Sequence, residues 1–536
     1  MATAQSMMEV QKKTRADKQR SWFEDAIFYQ IYPRSFNDTN GDGVGDLGGI
    51  LEKVNYLKSL GITALWLSPF FPSPMEDFGY DVSGYCDVDP IFGTLEDFDR
   101  LIRTCHSSDI KMVIDFVPNH TSQHHPWFVE SRKNKTNPYA DWYIWADPKP
   151  DGSVPNNWTC VTTGSAWTYV KARHQYYLHS FLSAQPDLNW RNPEVREAIF
   201  KAMRFWFERG VDGLRVDMID FLIKDEFLRD EPDPDYRFKT SVRHMNQPQM
   251  RDIVADMHAL AREYGDRVII GEINSELSVA QTVSYYGKPG NRQMDVPFNF
   301  VLMRQPLEAA AINATLREFE ELLPDHAWPN HTWGNHDVPR VATRFGVEKA
   351  RLAALILLTL RGTPFLYYGD ELGMEDVKLT RDQIQDPWEF RQPGRGRDPN
   401  RTPLPWTAGA RNAGFSSVDP WLPVGADNEA RAVDTQLGNS ASLHTFYRDL
   451  IALRQATPAL LKGDQKLLEA PKDVVAYERN LEGERCIVIV NLGTTPISPG
   501  SLPFGIKGCM FSTAGPEPAK HVSRVLDAGH GGIFSA

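Results

Sequence analysis

Cysteine is scarce in this 536-residue chain, and the five present (Cys86, Cys105, Cys160, Cys486 and Cys509) form no Cys-x-x-Cys pair. An odd number at wide spacing argues against a disulfide framework and a thiolate zinc site, and fits a reducing compartment. No run reaches the ~18 apolar residues needed to cross a bilayer. No block of Lys and Arg offsets the net charge of −12, which makes nucleic acid and anionic membrane poor partners. The stretch from Met1 to Arg20 is polar and charged and lacks the apolar segment of a secretion signal. A cytoplasmic location is therefore expected, and the sequons at Asn119 and Asn157 carry little weight.

Aromatic residues are plentiful: 14 Trp, 18 Tyr and 28 Phe, many of them in loop-like segments. Core packing accounts for most, while exposed rings suit flat, partly apolar ligands such as sugars. A chain this long predicts two or three domains.

The chain turns on the stretch Gly210-Val-Asp-Gly-Leu-Arg-Val-Asp-Met218. In an extended strand Leu214, Val216 and Met218 share one face, and Arg215 and Asp217 share the other. A cation and a carboxylate then lie where an apolar residue would normally be buried, which is costly unless the pair is used or compensated. A structural salt bridge and a catalytic pair are the two readings of this stretch alone.

Around it, helical and strand patterns alternate. Strands are expected at Ala26–Ile31, Ala64–Leu67, Lys111–Phe116, Gly213–Val216, Val268–Gly271, near Val296–Phe300, near Thr332–Trp333 and at Pro364–Tyr367. Helical segments, among them Leu47–Leu60, Leu95–Asp109, Asn192–Glu208, Gln247–Glu263, Lys349–Leu360 and Ser442–Ala456, lie between or after them. Eight strands separated by helices outline an α/β fold, a (β/α)8 barrel. The excursion from Thr121 to Leu188 is too long for a connection and predicts an inserted domain. Beyond the last barrel helix, Val474–Glu478, Arg485–Asn491 and Gly508–Ser512 read as strands without helices. The expected division is a polar leader at 1–20, a barrel at 21–120 and 189–458, an inserted domain at 121–188, and a C-terminal β-sandwich at 459–536.

Two clusters of polar residues stand out. Asp38, Asn40, Asp42 and Asp46 place hard oxygen donors at near-alternate positions among glycines, like the first half of an EF-hand calcium loop without its closing glutamate. A bound divalent ion and a hydrogen-bonded Asx-rich turn are the alternatives. The barrel strands also end in polar residues: Asp115 and His120, Arg215 and Asp217, Glu272, and His336 and Asp337. The C-terminal ends of barrel strands are where this fold places its chemistry. Converging carboxylates there are what glycoside cleavage requires, one to attack the anomeric carbon and one to protonate the leaving oxygen. Arg215 beside Asp217 would keep that carboxylate ionised, while a less solvated Glu272 would hold the proton.

Asp115-Phe-Val-Pro-Asn-His120, Gly213-Leu-Arg-Val-Asp217, Gly271-Glu272 and Gly334-Asn-His-Asp337 resemble, in order, the four signature regions of the α-amylase family of retaining glycosidases (glycoside hydrolase family 13). The resemblance implies Asp217 as nucleophile, Glu272 as general acid/base and Asp337 as transition-state stabiliser. It implies Tyr80, Asp81, His120, Arg215 and His336 around the glucose ring, and a structural Ca2+ (or Mg2+ in its place) on Asp38, Asn40, Asp42, Asp46 and the Val44 carbonyl. Gln185-Pro-Asp-Leu-Asn189 and Arg397-Asp-Pro-Asn-Arg401-Thr-Pro are similar to segments of the oligo-1,6-glucosidase and α-glucosidase group. In that group an arginine, Arg397 first and Arg401 second, pairs with the aspartate equivalent to Asp81 and closes the pocket beyond the terminal glucose.

The implied activity is exo-acting release of terminal glucose from short α-glucosides with retention, and transfer to sugar or alcohol acceptors beside hydrolysis. The implied partners are a small α-glucoside or oligosaccharide and those acceptors, in a monomer or homodimer. Met218, following the nucleophile, is neither the Val usual in α-1,6-cleaving members nor the Thr or Ala of α-1,4-specific ones, so linkage is left open. A sucrose isomerase or trehalose synthase on the same scaffold is the alternative. The first is disfavoured by the lack of an Arg-Leu-Asp-Arg-Tyr segment, the second by Gly-Asn-His-Asp-Val-Pro-Arg340. A binding module like the ectodomains of transporter heavy chains would need an anchor and usually lacks the carboxylates.

Overall fold

The computed structural model describes residues 20–233, 235–236, 240–273, 277–288, 291–515 and 525–536. Except for Arg20, the leader lies outside them. Eight short parallel strands form the centre: β1 Phe28–Ile31, β2 Ala64–Leu67, β3 Lys111–Phe116, β4 Gly213–Val216, β5 Val268–Gly271, β6 Val296–Pro297, β7 Asn330–Thr332 and β8 Thr363–Tyr367. Their hydrogen-bonded order is β6-β5-β4-β3-β2-β1-β8-β7. Side chains close the seam between β6 and β7. Asn330 Nδ2 donates to the Pro297 carbonyl (2.7 Å), and its Oδ1 accepts the amide of Asn299 (2.9 Å). The eight strands therefore make a barrel.

Strand alternation sorts the core into two layers. One parity points inward and fills the barrel with Phe28, Trp66, Val113, Ile270, Phe298 and Phe365. Phe28 and Phe365 stack there with centroids 4.4 Å apart. The other parity, including Tyr29, Leu65, Ile114, Leu214 and Ile269, meets the helices. Gly213 points inward where there is no room for a side chain, since a Cβ would stand 2.2 Å from Val268 Cγ1 and 2.6 Å from its carbonyl oxygen.

The helices follow their capping signals. Thr94 and Asp97 form a capping box on Leu95–Ser107, and Asn192 caps Pro193–Glu208 with Pro193 in the first turn. The segment expected as one helix at Leu47–Leu60 is two, Leu47–Glu52 and Val54–Leu60, with Lys53 leaving helical geometry (φ −101°, ψ 6°). The sixth strand is shorter than expected, because Pro297 has no amide to extend a ladder.

Within 121–188 the strands Trp145–Ala146, Gln175–Leu178 and Trp167–Val170 pair in that order as an antiparallel sheet. It has its own apolar cluster of Trp158, Cys160, Ala166, Trp167 and Leu178. After the last barrel helix, Leu443–Ala456, five antiparallel strands follow: Asp464–Leu467, Val474–Leu481, Glu484–Asn491, Gly508–Ser512 and His530–Ser535. Three were expected. Among the described residues they form one sheet rather than the two layers of a sandwich. Tyr477, Val488 and Ile533 join the barrel's core, while Ala476, Ile487 and Phe534 on the opposite face pack with Phe504 and Leu526. One face is thus covered by the barrel and the other by the domain's own loops.

Candidate active site

The inward parity of β3, β4 and β5 continues past the aromatic plug into charge. Arg215 lies with its Cζ 5.1 Å from the centre of the Trp66 ring, so the floor of the site is apolar. Its Nη1 donates to Asp115 Oδ1 (2.6 Å) and Asp217 Oδ1 (2.9 Å), and its Nη2 pairs with Glu272 Oε2. The chain beyond the strands stays in register, Asp217 N bonding the Phe116 carbonyl and Glu272 N that of Val216. Met218 then takes a left-handed conformation (φ 39°, ψ 52°), an uncommon one for a non-glycine residue. Its amide points to Glu272 Oε2 (3.4 Å). Gly271 lets the Met294 side chain pack against the strand, since a Cβ would lie 2.2 Å from Met294 Sδ and displace it.

One guanidinium serving three carboxylates leaves excess negative charge in a poorly solvated place, so Asp115 and Asp217 retain protons more readily than usual. Burial, only partly offset by Arg215, pushes Asp115 up to about 6. Burial and then the charge of Glu272 push Asp217 well above the carboxylate range. This corrects the expected division of labour. Asp217 and Glu272 are almost equally hidden, with side chains 8% and 10% exposed. Solvation therefore does not separate them, and Arg215 does not belong to Asp217 alone.

Asp337 is the opposite case. It remains a third exposed, and His336 (3.3 Å), Arg401 (3.0 Å) and Arg397 (3.5 Å) surround it. What burial it has would raise it, but His336 and the two arginines hold it well below the usual range. His336 is itself buried and kept neutral chiefly by that burial. Gln30 Nε2 donates to its Nδ1 (2.8 Å), leaving Nε2 for the Tyr80 hydroxyl (2.7 Å), which in turn donates to Asp115 Oδ2 (3.1 Å). The Tyr80 and His336 rings stack at 5.3 Å. His120 is buried below Tyr80, with Nε2 3.0 Å from the Tyr80 carbonyl, and burial lowers it to about 4.

The arginine expected to close the pocket does form an ion pair, but with a different aspartate. Arg397 Nη2 bonds Asp77 Oδ1 (2.6 Å), and Asp386 holds the same guanidinium through Nε (2.8 Å) and Nη2 (2.9 Å). Asp81 faces away. Its carboxylate accepts from Ser73 Oγ (2.8 Å) and the amides of Glu76 (2.9 Å) and Asp77 (3.0 Å), and it is fully buried. Two left-handed residues between them, Phe78 (φ 49°) and Gly79 (φ 103°), reverse the chain and turn the two aspartates to opposite sides. Arg401 is fully buried, its Nε donating to the His336 carbonyl (2.8 Å). Asp77, Asp386, Trp66 and Gln30 complete the site beyond the residues expected from sequence. Gln185 joins them, donating to Asp77 Oδ2 (3.0 Å).

The oxygen-rich loop folds on itself. Asp38 accepts the amides of Asn40 (3.1 Å), Gly41 (2.8 Å) and Gly43 (3.0 Å), while Asp42 accepts that of Val44 (2.8 Å). Asp46 caps the Leu47 helix through Gly49 N (2.6 Å) and takes the Thr39 hydroxyl (2.7 Å). Among the described residues no group of three or more His, Cys, Asp or Glu side chains is disposed to hold a metal. No helix among them is long and apolar enough to cross a membrane.

A family model described as the catalytic domain of alpha amylase matches residues 30–463. The chain is 42% identical to a probable alpha-glucosidase of Rhizobium meliloti, over 88% of its own length and 90% of that protein's. It is 39% identical to an oligo-1,6-glucosidase of Heyndrickxia coagulans, covering 89% and 93% respectively. Among solved structures, the alpha-glucosyl transfer enzyme XgtA superposes with a TM-score of 0.87 at 38% identity, covering 97% of this chain and 99% of that one. The trehalulose synthase MutB of Pseudomonas mesoacidophila superposes with 0.89 at 35%, covering 97% and 100%.

Proposed function

The chain belongs to the alpha-amylase family and is a glycoside hydrolase; on that premise we propose that it is a retaining, exo-acting α-glucosidase, with glucosyl transfer as a companion reaction. The observation that carries this reading is Arg215 shared between Asp217 and Glu272. Two carboxylates on neighbouring nitrogens of one guanidinium suit the close separation of a double displacement, ~5–5.5 Å against the ~6.5–9.5 Å of an inverting site. Asp217 attacks the anomeric carbon of a bound α-glucoside while the proton held by the pair leaves from Glu272 to the glycosidic oxygen. Glu272 then takes a proton from water, or from an acceptor hydroxyl, which opens the glucosyl-enzyme. Asp337, fixed as an anion by two arginines, accepts hydrogen bonds from ring hydroxyls, and Tyr80, His336 and His120 border the same ring. The Arg397–Asp77 pair closes the far end, so only a chain terminus enters.

Incubation with maltose, isomaltose and sucrose separately tests this. Free glucose, with trisaccharides from transfer, is the expected product set. A disaccharide isomer as main product with little glucose would move the chain to the isomerases. The relative rates on maltose and isomaltose define the linkage that Met218 leaves open.

Asp38, Asn40, Asp42, Asp46 and the Val44 carbonyl offer hard oxygens of the kind Ca2+ or Mg2+ takes, but the carboxylates are turned onto the loop's own amides, so an ion, structural in role, would have to draw them together. Chelation by EDTA is expected to lower Tm by about 1 °C, roughly 1 kcal/mol, without changing kcat. An unchanged Tm would mark the loop as an Asx turn alone.

A further inference from the structure

Beside the segment that holds Arg397 is an open hollow of about 560 Å³, within the usual range for small-molecule sites. Asp382, Gln383, Asn412 and Glu429 line it with acceptors and donors, and Pro420 and Trp421 supply apolar wall. Carboxylates and amides facing a proline and an indole suit a neutral saccharide, whose hydroxyls need both donors and acceptors and whose C–H face packs on flat apolar surface. The carboxylates disfavour a phosphorylated sugar, and no metal-holding cluster occurs among the described residues.

Gln385 lines this hollow, and the adjacent Asp386 holds Arg397. Trp421 lines it too; its ring lies 5.4 Å from that of Phe78 and 6.2 Å from that of Tyr32, and its Nε1 donates to Ser35 Oγ (3.0 Å). Tyr32 in turn stacks on His336 at 6.1 Å.

We propose that this hollow is a second, non-catalytic binding site for neutral mono- or disaccharides, beside the segment that holds Arg397. It rests on the cavity and its lining, and on the glucosidase reading only for the choice of sugar. The test is equilibrium dialysis of labelled maltose against the full chain, with the glucose pocket saturated by an iminosugar inhibitor. One further equivalent of maltose is expected at a Kd of roughly 1 mM. Glu429→Ala removes an acceptor and Ala426→Trp fills the cavity from an exposed position. Each is expected to weaken that equivalent about fivefold or more, with hydrolysis of a nitrophenyl glucoside unchanged. No maltose bound in the presence of inhibitor, or binding indifferent to both substitutions, would overturn the proposal. Failure of the iminosugar to inhibit hydrolysis would count against the glucosidase reading instead, and the two variants would still report on the second site.

Discussion

At the N-terminal end of β4, Asp212 is met by His106 Nε2 (2.6 Å), Arg267 Nη1 (2.9 Å) and Lys111 Nζ (3.2 Å), and takes the Met112 amide (2.9 Å). At the C-terminal end of the same strand the signs are exchanged, with Arg215 facing Asp115, Asp217 and Glu272. Burial alone would raise Asp212, yet the hydrogen bond from His106, the Met112 amide and the charge of Lys111 hold it below the usual range, while Asp115 and Asp217 are pushed up. Both ends bury charge, but only the lower one neutralises it. Excess cation fixes a carboxylate as an anion and favours folding. Excess carboxylate leaves protons that can move, which stabilises nothing and suits acid–base chemistry.

Removing a charge at each end separates these roles. Asp217→Asn is expected to lower kcat by about 10⁴-fold or more, as loss of a nucleophile does. Tm should hold or rise, because one of three competing carboxylates is gone. Substantial residual hydrolysis would refute the nucleophile, and a large fall in Tm would refute the strained-cluster picture. Asp212→Asn should do the reverse. It weakens two ionic contacts and the hydrogen bond from His106, at a cost of about 2 kcal/mol in denaturant unfolding, and leaves kcat alone.

Asp337 adds a lower-end pattern at the upper end, a carboxylate with more cations than it needs. Arg397→Ala removes one of them and also frees Asp77, so KM should rise about tenfold with a smaller change in kcat. Asp77→Asn should follow it and Asp81→Asn should not. An unchanged KM in Arg397→Ala would transfer the closing role to Arg401.

The contrast between the ends is partly legible in the sequence. The period of two through Leu214-Arg215-Val216-Asp217 places Arg215 and Asp217 inside the barrel, and the glycine before them is the residue the crowded interior demands. Alternating strand and helix patterns identified all eight barrel strands, because hydrophobic periodicity is local. What was not legible depended on chain direction in loops. Asp77 and Asp81 flank Tyr80 in the sequence, and only the left-handed pair Phe78 and Gly79 decides which faces the pocket. Asp386 reads as a loop residue until the fold brings it to Arg397. The sharing of Arg215 among Asp115, Asp217 and Glu272 also escaped, since the spacing in the sequence pairs it with Asp217 alone. Five strands instead of three in the C-terminal sheet escaped because Asp464–Leu467 is largely polar and His530–Ser535 carries two glycines.

The subtlest test of the comparison is its pH dependence, read at Asp115. Its folded value of about 6 lies above the ordinary carboxylate range near 4. A raised group contributes stability below its unfolded value and loses it as pH climbs through the folded one, so the upper cluster should weaken between about pH 4 and pH 6. Asp212 is depressed, so its contribution is present above the ordinary range and lost only on acidification below it. Asn at position 115 cannot ionise. The Tm of Asp115→Asn relative to wild type should therefore improve by about 1–2 °C on going from pH 4 to pH 7, while the relative Tm of Asp212→Asn should worsen. Parallel profiles for the two variants would mean that the ends of β4 do not differ in how they hold charge.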